Sequence, residues 1–425
     1  MTSEPKPADC YVYITLPGQV TPVTAGRFAL ISDRHGNPLG QFVYGRSYLA
    51  RPDAVALDPI ELKLARQTYE TVRLKGVFGA LRDAIPDHWG RRVIERHVGK
   101  APLSELDYLL HSPEDRAGAL GFGPNQVPPA ALPRFNRTLD LANLQRIADA
   151  LVADEELPVE AANDQVAELI LIGTSMGGAR PKTVVEDEGG LWLAKFNRVD
   201  DRWNVARVEH AMLVLARTCG IDVAESRVVS IGNRDVLLVR RFDREKTPSG
   251  YLRARMVSAL TLLRADDTYR DRERWSYILL TEELRRVSAN PFADAAELFR
   301  RMCFNALISN IDDHPRNHAI LAKGREFRLS PAYDLTPAAA VSLERRDLAL
   351  TVGDAGRFAN AENILSQSAR FLIGPDQAKA LVDTMEQKVQ STWYKVARSA
   401  GVSEADCAAI AGAFAYPGFR FPLRP

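Results

Sequence analysis

Cysteine is scarce in this 425-residue chain. Cys10, Cys219, Cys303 and Cys407 are scattered, with no C-x-x-C pair. This excludes a disulfide framework and a structural zinc site of the usual spacing. Long apolar runs are missing as well. None approaches the ~18 residues that a membrane-spanning helix needs, so no membrane contact is expected. The opening MTSEPKPADC lacks the basic-then-apolar layout of a secretory signal. A reducing, cytoplasmic compartment is the expectation. Excess charge is missing too, because 55 Lys and Arg face 54 Asp and Glu for a net +1. A dedicated nucleic-acid binder carries a marked basic excess, and an acidic disordered chain the opposite. Lysine itself is rare, 11 residues against 44 arginines, so each lysine is conspicuous. What remains is the 46% hydrophobic, 26% charged composition of a globular protein, long enough for two or three domains.

The Pro-rich stretch Gly123 to Pro133 separates two patterns. Before it, residues 11–16, 27–32 and 39–45 read as strands around an Asp33–Pro38 turn, with helices over about 60–68 and 88–98. Residues 1–125 are therefore expected to form a small α+β module. Beyond the linker, 140–152 and 163–172 read as helices, followed by the glycine-rich run Gly173-Thr174-Ser175-Met176-Gly177-Gly178-Ala179-Arg180-Pro181-Lys182. Strands follow at 183–187 and 191–197, an amphipathic helix at 205–218, and strands at 227–231 and 235–239. From Tyr251 the pattern is mostly helical, broken by a hairpin spanning His318 to Leu329. The expectation is an α+β, two-lobed kinase-like architecture. A strand-rich lobe covers 126–248 and a mostly helical C-terminal lobe covers 249–425.

Four features carry chemistry. Gly177-Gly178 lets the backbone approach a phosphate with its N–H groups forward. Walker A is rejected, because Ala179 stands where its lysine belongs and a strand follows. A kinase-type loop fits better, though a plain surface turn also accounts for it. Lys195 shares a strand face with Leu191 and Leu193, and a lysine among apolar residues needs an anionic partner. ATP phosphates would serve, as would Glu209 on the next helix; an edge lysine that snorkels is the alternative. Third, Asp312 precedes Asn317 by five positions in Asn310-Ile311-Asp312-Asp313-His314-Pro315-Arg316-Asn317-His318, and Asp334 follows after the hairpin. That is kinase catalytic-loop spacing, with one carboxylate for the attacking hydroxyl and an amide plus a second carboxylate for Mg²⁺. His314 or Arg316 would stabilise charge. Two alternatives stay open: a hydrolytic transition-metal site from Asp312, Asp313, His314 and His318, or simple turn capping. Fourth, Arg240-Arg241-Phe242 ends a strand where the lobes would meet and would offer backbone groups and a ring to adenine.

In this order, these pieces resemble the HipA family of serine/threonine-protein kinase toxins of bacterial type II toxin–antitoxin systems. Ile85-Pro86-Asp87-His88-Trp89-Gly90-Arg91-Arg92 looks like that family's LPD-x-WGRR motif, and the resemblance runs through most of the chain. It implies an ATP- and Mg²⁺-dependent kinase with Asp312 as catalytic residue, Asn317 and Asp334 as metal ligands, and His314 near the phosphates. It implies nucleotide contacts from Gly177, Gly178, Ala179, Arg180, Lys182, Lys195, Arg241, Phe242, His314, Tyr333 and Asp334. Ser175 matches the loop serine that family members autophosphorylate. The implied partners are a HipB-like DNA-binding antitoxin, with DNA met mainly through it, and a protein substrate such as an aminoacyl-tRNA synthetase. Arg316 stands where the family often has lysine, and Arg240 where it often has glutamate. Asp87 is expected to cap the 88–98 helix and Trp89 to be core. A non-catalytic nucleotide-binding scaffold and a small-molecule kinase of similar fold are the rival readings.

Overall fold

In the computed structural model, the described residues are 9–99, 101–130, 135–153, 180–338 and 342–423. The fold is mixed α and β and divides into two compact units. The first comprises residues 1–194, 243–257 and 321–325, and the second 195–242, 258–320 and 326–425. Both are discontinuous in sequence, whereas the segments read from the sequence were contiguous.

The first unit is built on a five-stranded sheet. Strands β1 (Asp9–Thr15), β2 (Pro22–Ser32), β3 (Pro38–Tyr44), β4 (Thr68–Thr71) and β5 (Leu120–Gly123) lie in the order β4-β3-β2-β1-β5. All adjacent pairs are antiparallel. Alternation puts Val12, Ile14, Phe28 and Phe42 into a core shared with Leu81, Ile85, Ile94 and Leu109. Helix α1 (His88–Val98) starts at Asp87 and ends at Gly99, whose φ of +68° suits a left-handed cap. Asp87 occupies the N-cap position, but its side chain makes no cap bond and faces Arg82 at 3.4 Å. Trp89 is buried, as expected.

The helix expected over 60–68 does not form. The buried Asp58 carboxylate takes the N–H groups of Ile60, Glu61 and Leu62, as a cap would, but the Leu62 carbonyl accepts from the Tyr44 hydroxyl at 2.5 Å. A carbonyl committed to a distant side chain gives the turn nothing to propagate on. Helix α2 (Leu141–Ala153) and the hairpin of β6 (Lys182–Asp187) and β7 (Gly190–Phe196) complete the parts of this unit that matter below. The hairpin turn is closed by Asp187, which accepts from Gly189 and Gly190. The helix expected over 163–172 lies outside the described residues.

The mostly helical reading from Tyr251 onward is corrected at its start. Arg244–Thr247 pairs antiparallel with Gly250–Arg253, and Arg255–Ser258 is a strand as well. Tyr251 is pinned there by its hydroxyl on Glu186 (2.6 Å) and its ring against Phe135. This contact with strand β6 is non-local, so helical periodicity could not register it.

The second unit holds the hairpin of β8 (Ser226–Ile231) and β9 (Arg234–Arg240), backed by α3 (Val205–Thr218). Asn204 caps α3 by accepting from Arg207 N–H. Helices α4 (Tyr277–Val287), α5 (Pro291–Leu307) and α6 (Pro375–Ser399) follow, with Ser276 capping α4 and Asn290 capping α5. Helix α5 is buried from Arg301 to Leu307 and delivers the chain from the core to residues 308–318. No helix among the described residues is long and apolar enough to cross a membrane.

Candidate active site

Lys195, Glu209 and Asp334 meet in the second unit. Lys195 Nζ donates to Glu209 Oε1 and to Asp334 Oδ1, each at 2.6 Å. Strand β7 aims Lys195 inward and α3 brings Glu209 under it. Glu209 is buried and Lys195 largely so, whereas the Asp334 side chain keeps 44% of its surface exposed. Burial opposes the ammonium charge, but the carboxylates of Asp334 and Glu209 outweigh it and hold Lys195 above the ordinary lysine range. Asp334 itself has a φ of +59°, a left-handed conformation uncommon for a non-glycine residue. Such strain persists only where the surroundings impose it.

The 310–318 loop is anchored from below. Asp313 is buried and accepts from the Tyr277 hydroxyl and from His318 Nε2 (2.8 Å). Asn305 Nδ2 donates to the same tyrosine oxygen at 3.1 Å, and Asn310 Nδ2 to Asn305 Oδ1 at 3.1 Å. With Asp313 held inside, Asp312 is turned outward and exposed. Burial still raises the Asp312 carboxyl above its ordinary value; Asp334 and Asp313 add to this, against an opposing pull from His314. Asn317 Nδ2 lies 3.4 Å from the Asp312 carbonyl.

His314 accepts from Arg316 N–H at Nδ1 (3.2 Å), so its Nε2 carries the proton toward Asp267 Oδ1 at 3.0 Å. Arg316 also approaches Asp267, at 3.6 Å, and Trp275 packs edge-on against the His314 ring. The Tyr333 hydroxyl donates to the Arg316 carbonyl at 2.7 Å, which ties the Tyr333-Asp334 segment to the loop. Phe242 faces Tyr333 with ring centroids 5.6 Å apart, beside Ala206, Ala224, Leu237 and Val239. That cluster is apolar and carries two rings, which suits contact with a further aromatic ring. Arg241 is buried.

Ser175, Gly177, Gly178 and Ala179 lie outside the described residues. Arg180 and Lys182 belong to the first unit, with Lys182 buried at the start of β6. A cavity of about 350 Å³ in that unit is lined by Trp89, Arg92, Val93, Glu95, Arg96 and Leu151, none of them expected at a nucleotide.

The residues suit Mg²⁺ better than a transition metal. Asp313 and His318 bond to each other in the interior, away from exposed Asp312. Among the described residues, no three His, Cys, Asp or Glu side chains gather to hold a metal. An amide oxygen from Asn317 and the carboxylate of Asp334 would make a sparse, hard donor set. Mg²⁺ is usually held by one or two carboxylates, with phosphate oxygens and waters filling the rest. Sequence reasoning missed Asp267, Tyr277 and Asn305. None has a motif spacing, and each acts through a contact remote in sequence.

Two family models match this chain. One, described as the HipA-like C-terminal domain, covers residues 174–393, and the other, the HipA N-terminal domain, covers 23–123. A Sinorhizobium fredii protein named "Putative kinase Y4mE" is 26% identical over 347 residues, 76% of this chain and 77% of that protein. A Haemophilus influenzae protein named "Putative kinase" is 27% identical over 187 residues, 38% of this chain and 52% of that protein. Among solved structures, a chain from the Shewanella oneidensis MR-1 toxin–antitoxin complex of HipA, HipB and operator DNA superposes with a TM-score of 0.66. Its identity is 17%, over 94% of this chain and 95% of that one. That likeness concerns the fold.

Proposed function

This chain belongs to the HipA family, and on that premise we propose that it is an ATP-dependent protein serine/threonine kinase, the toxin of a type II toxin–antitoxin system. The observation that carries the reading is the Lys195–Glu209–Asp334 contact. A largely buried lysine held by a helix glutamate, beside a second carboxylate, is the arrangement a kinase uses to hold nucleotide phosphates.

Each residue then has a task. Lys195 meets ATP phosphate oxygens, with Glu209 fixing its position. Asp312 orients the acceptor hydroxyl and takes its proton, helped by a carboxyl pKa above the ordinary value. Asn317 and Asp334 would hold Mg²⁺, which when bound neutralises charge on the phosphate oxygens. His314, oriented by Asp267, and Arg316 lie where charge on the transferred group needs compensation. Phe242 and Tyr333 receive the adenine, with Arg241 beside them. Residues 175–182, including Gly177, Gly178, Ala179, Arg180 and Lys182, serve as the phosphate loop. Ser175 is the autophosphorylation site; a phosphate there adds about −2 charge in a loop that otherwise receives ATP's own phosphates.

The partner is a small HipB-like DNA-binding protein, through which the near-neutral chain meets DNA. The substrate is a component of translation. Inducing the wild-type chain alone in bacteria should slow growth, and mapping should find phosphate on Ser175. Asp312→Ala should abolish both. Equal growth of the two strains contradicts the toxin role, and a phosphate on Ser175 that persists in Asp312→Ala contradicts the catalytic assignment.

A further inference from the structure

The 3₁₀ helix Tyr269–Arg274 has no task in the chemistry above, yet it borders the 310–318 loop within the second unit. Trp275, which follows it, is buried and firmly placed. Its Nε1 donates to the Asp266 carbonyl at 3.3 Å and its backbone N–H to the Arg272 carbonyl at 3.1 Å. Its own carbonyl accepts from Thr351 N–H at 2.8 Å. This fixed indole meets two groups. The His314 ring lies edge-on with centroids 4.3 Å apart, and the Arg272 guanidinium stands 5.5 Å from the ring centre. One ring therefore ties Arg272 to the loop that carries Asp312. Burial raises the Asp312 carboxyl, and Arg272 is among the charges that pull it back.

Arg272 is a half-buried cation held by rings rather than by an acid. Besides Trp275 it lies over the ring of Tyr269, at 5.8 Å, and that tyrosine is 85% exposed. Among the described residues Arg272 has no ion-pair or side-chain hydrogen-bond partner. The nearby acids are spent elsewhere or point away. Asp267 faces His314 and Arg316, and Asp271 accepts from Asp266 N–H at 2.7 Å. Glu273, next in the chain, is exposed and forms no ion pair with Arg272. A guanidinium stacked on ring faces keeps its N–H fork open, and that fork matches a carboxylate in two-pronged fashion. An exposed tyrosine beside an arginine is also the pairing that carries protein interfaces. In the kinase reading Lys195, Asn317 and Asp334 serve the phosphates, whereas Asp312 meets the acceptor hydroxyl.

We propose that Arg272 is a specificity-determining residue for the acceptor, pairing with an Asp or Glu side chain that flanks the serine or threonine presented to Asp312. Tyr269 and Trp275 hold the guanidinium ready for it. This rests on the kinase reading, and it narrows the substrate to protein segments with an acid beside the acceptor hydroxyl.

The test uses the full chain with ATP and Mg²⁺ on peptides that carry one serine or threonine and Asp, Ala or Lys at each flanking position. Wild type, Arg272→Gln and Arg272→Glu are compared by kcat/KM. The wild type should favour Asp over Ala about tenfold or more at one flanking position. Arg272→Gln should bring that ratio near one, and Arg272→Glu should turn the preference toward Lys at the same position. The ratio compares peptides on a single protein, so a merely structural role would leave it unmoved. A preference that survives Arg272→Gln overturns the proposal. So does a loss in Arg272→Gln that is equal for all peptides, which would place its effect on Asp312 or the phosphates. A wild type that transfers phosphate to no protein or peptide contradicts the kinase reading itself, whereas a competent wild type without an acidic preference overturns only the role of Arg272.

Discussion

Lys195 and Asp334 are 139 residues apart in sequence and 2.6 Å apart in the fold. The contact joins the strand that follows the glycine-rich run to the segment that follows the hairpin spanning His318 to Leu329. It also shares the lysine with Glu209, so one ammonium organises two carboxylates of different exposure. The buried one sets where the lysine points, and the other keeps 44% of its side-chain surface exposed.

Lys195→Met should therefore fail in two separable ways. It takes from the buried Glu209 its Lys195 partner, which costs about 3 kcal/mol, and it removes the proposed phosphate contact. Adding Glu209→Gln should return most of the lost stability and none of the phosphoryl transfer. Chemical denaturation alongside an ATP-transfer assay checks this. Recovery of both together would mean that Lys195 acts only through stability.

Tyr277→Phe should loosen the 310–318 loop from beneath. The hydroxyl serves the buried Asp313 carboxylate and accepts from Asn305. A lost hydrogen bond to a charged group costs about 2 kcal/mol. The expected result is a lower melting temperature and a kcat reduced severalfold, with ATP affinity near wild type, because no nucleotide contact is touched.

Asp58 supplies a pH signature for the first unit. Burial pushes its carboxyl up to about 6, against three backbone N–H donors. A carboxyl whose folded pKa lies above its ordinary 3.8 binds more protons folded than unfolded, so stability falls as pH rises between those values. The full difference is about 3 kcal/mol. Asp58→Asn should flatten the stability profile between pH 4 and 6 by roughly that amount. A profile unchanged by the substitution would contradict the assignment.

The window proposed as catalytic could be marked out in the sequence because the chemistry proposed for it is carried by spacing. Asp312, Asn317 and Asp334 fall at intervals that survive any packing detail, and Lys195 stands out in a chain with few lysines. Strands and helices with clean periodicity, such as 88–98 and 205–218, were legible for the same reason. The 60–68 and 250–258 segments were not, because Asp58, Tyr44 and Tyr251 decide them through partners far along the chain. Nor could spacing reveal that Asp313 and His318 face inward. That depends on Tyr277 and Asn305, which pull one of two adjacent aspartates into the core and leave the other outside. The Trp89 bond to the Lys182 carbonyl is hidden in the same way, since the motif announces the residue and only the fold supplies its partner.

The most direct test is phosphoryl transfer from labelled ATP in the presence of Mg²⁺, followed across pH for the wild type and Asp312→Asn. Asp312 is exposed and its folded carboxyl is raised, so removing its charge should not reduce stability at neutral pH. The account expects label on protein with the wild type and at least about a hundredfold less with an equally stable, ATP-binding Asp312→Asn. The acid limb of the wild-type rate should lie above the ordinary aspartate value. Equal transfer by the two proteins, or a wild type that binds ATP and labels no protein, would contradict it.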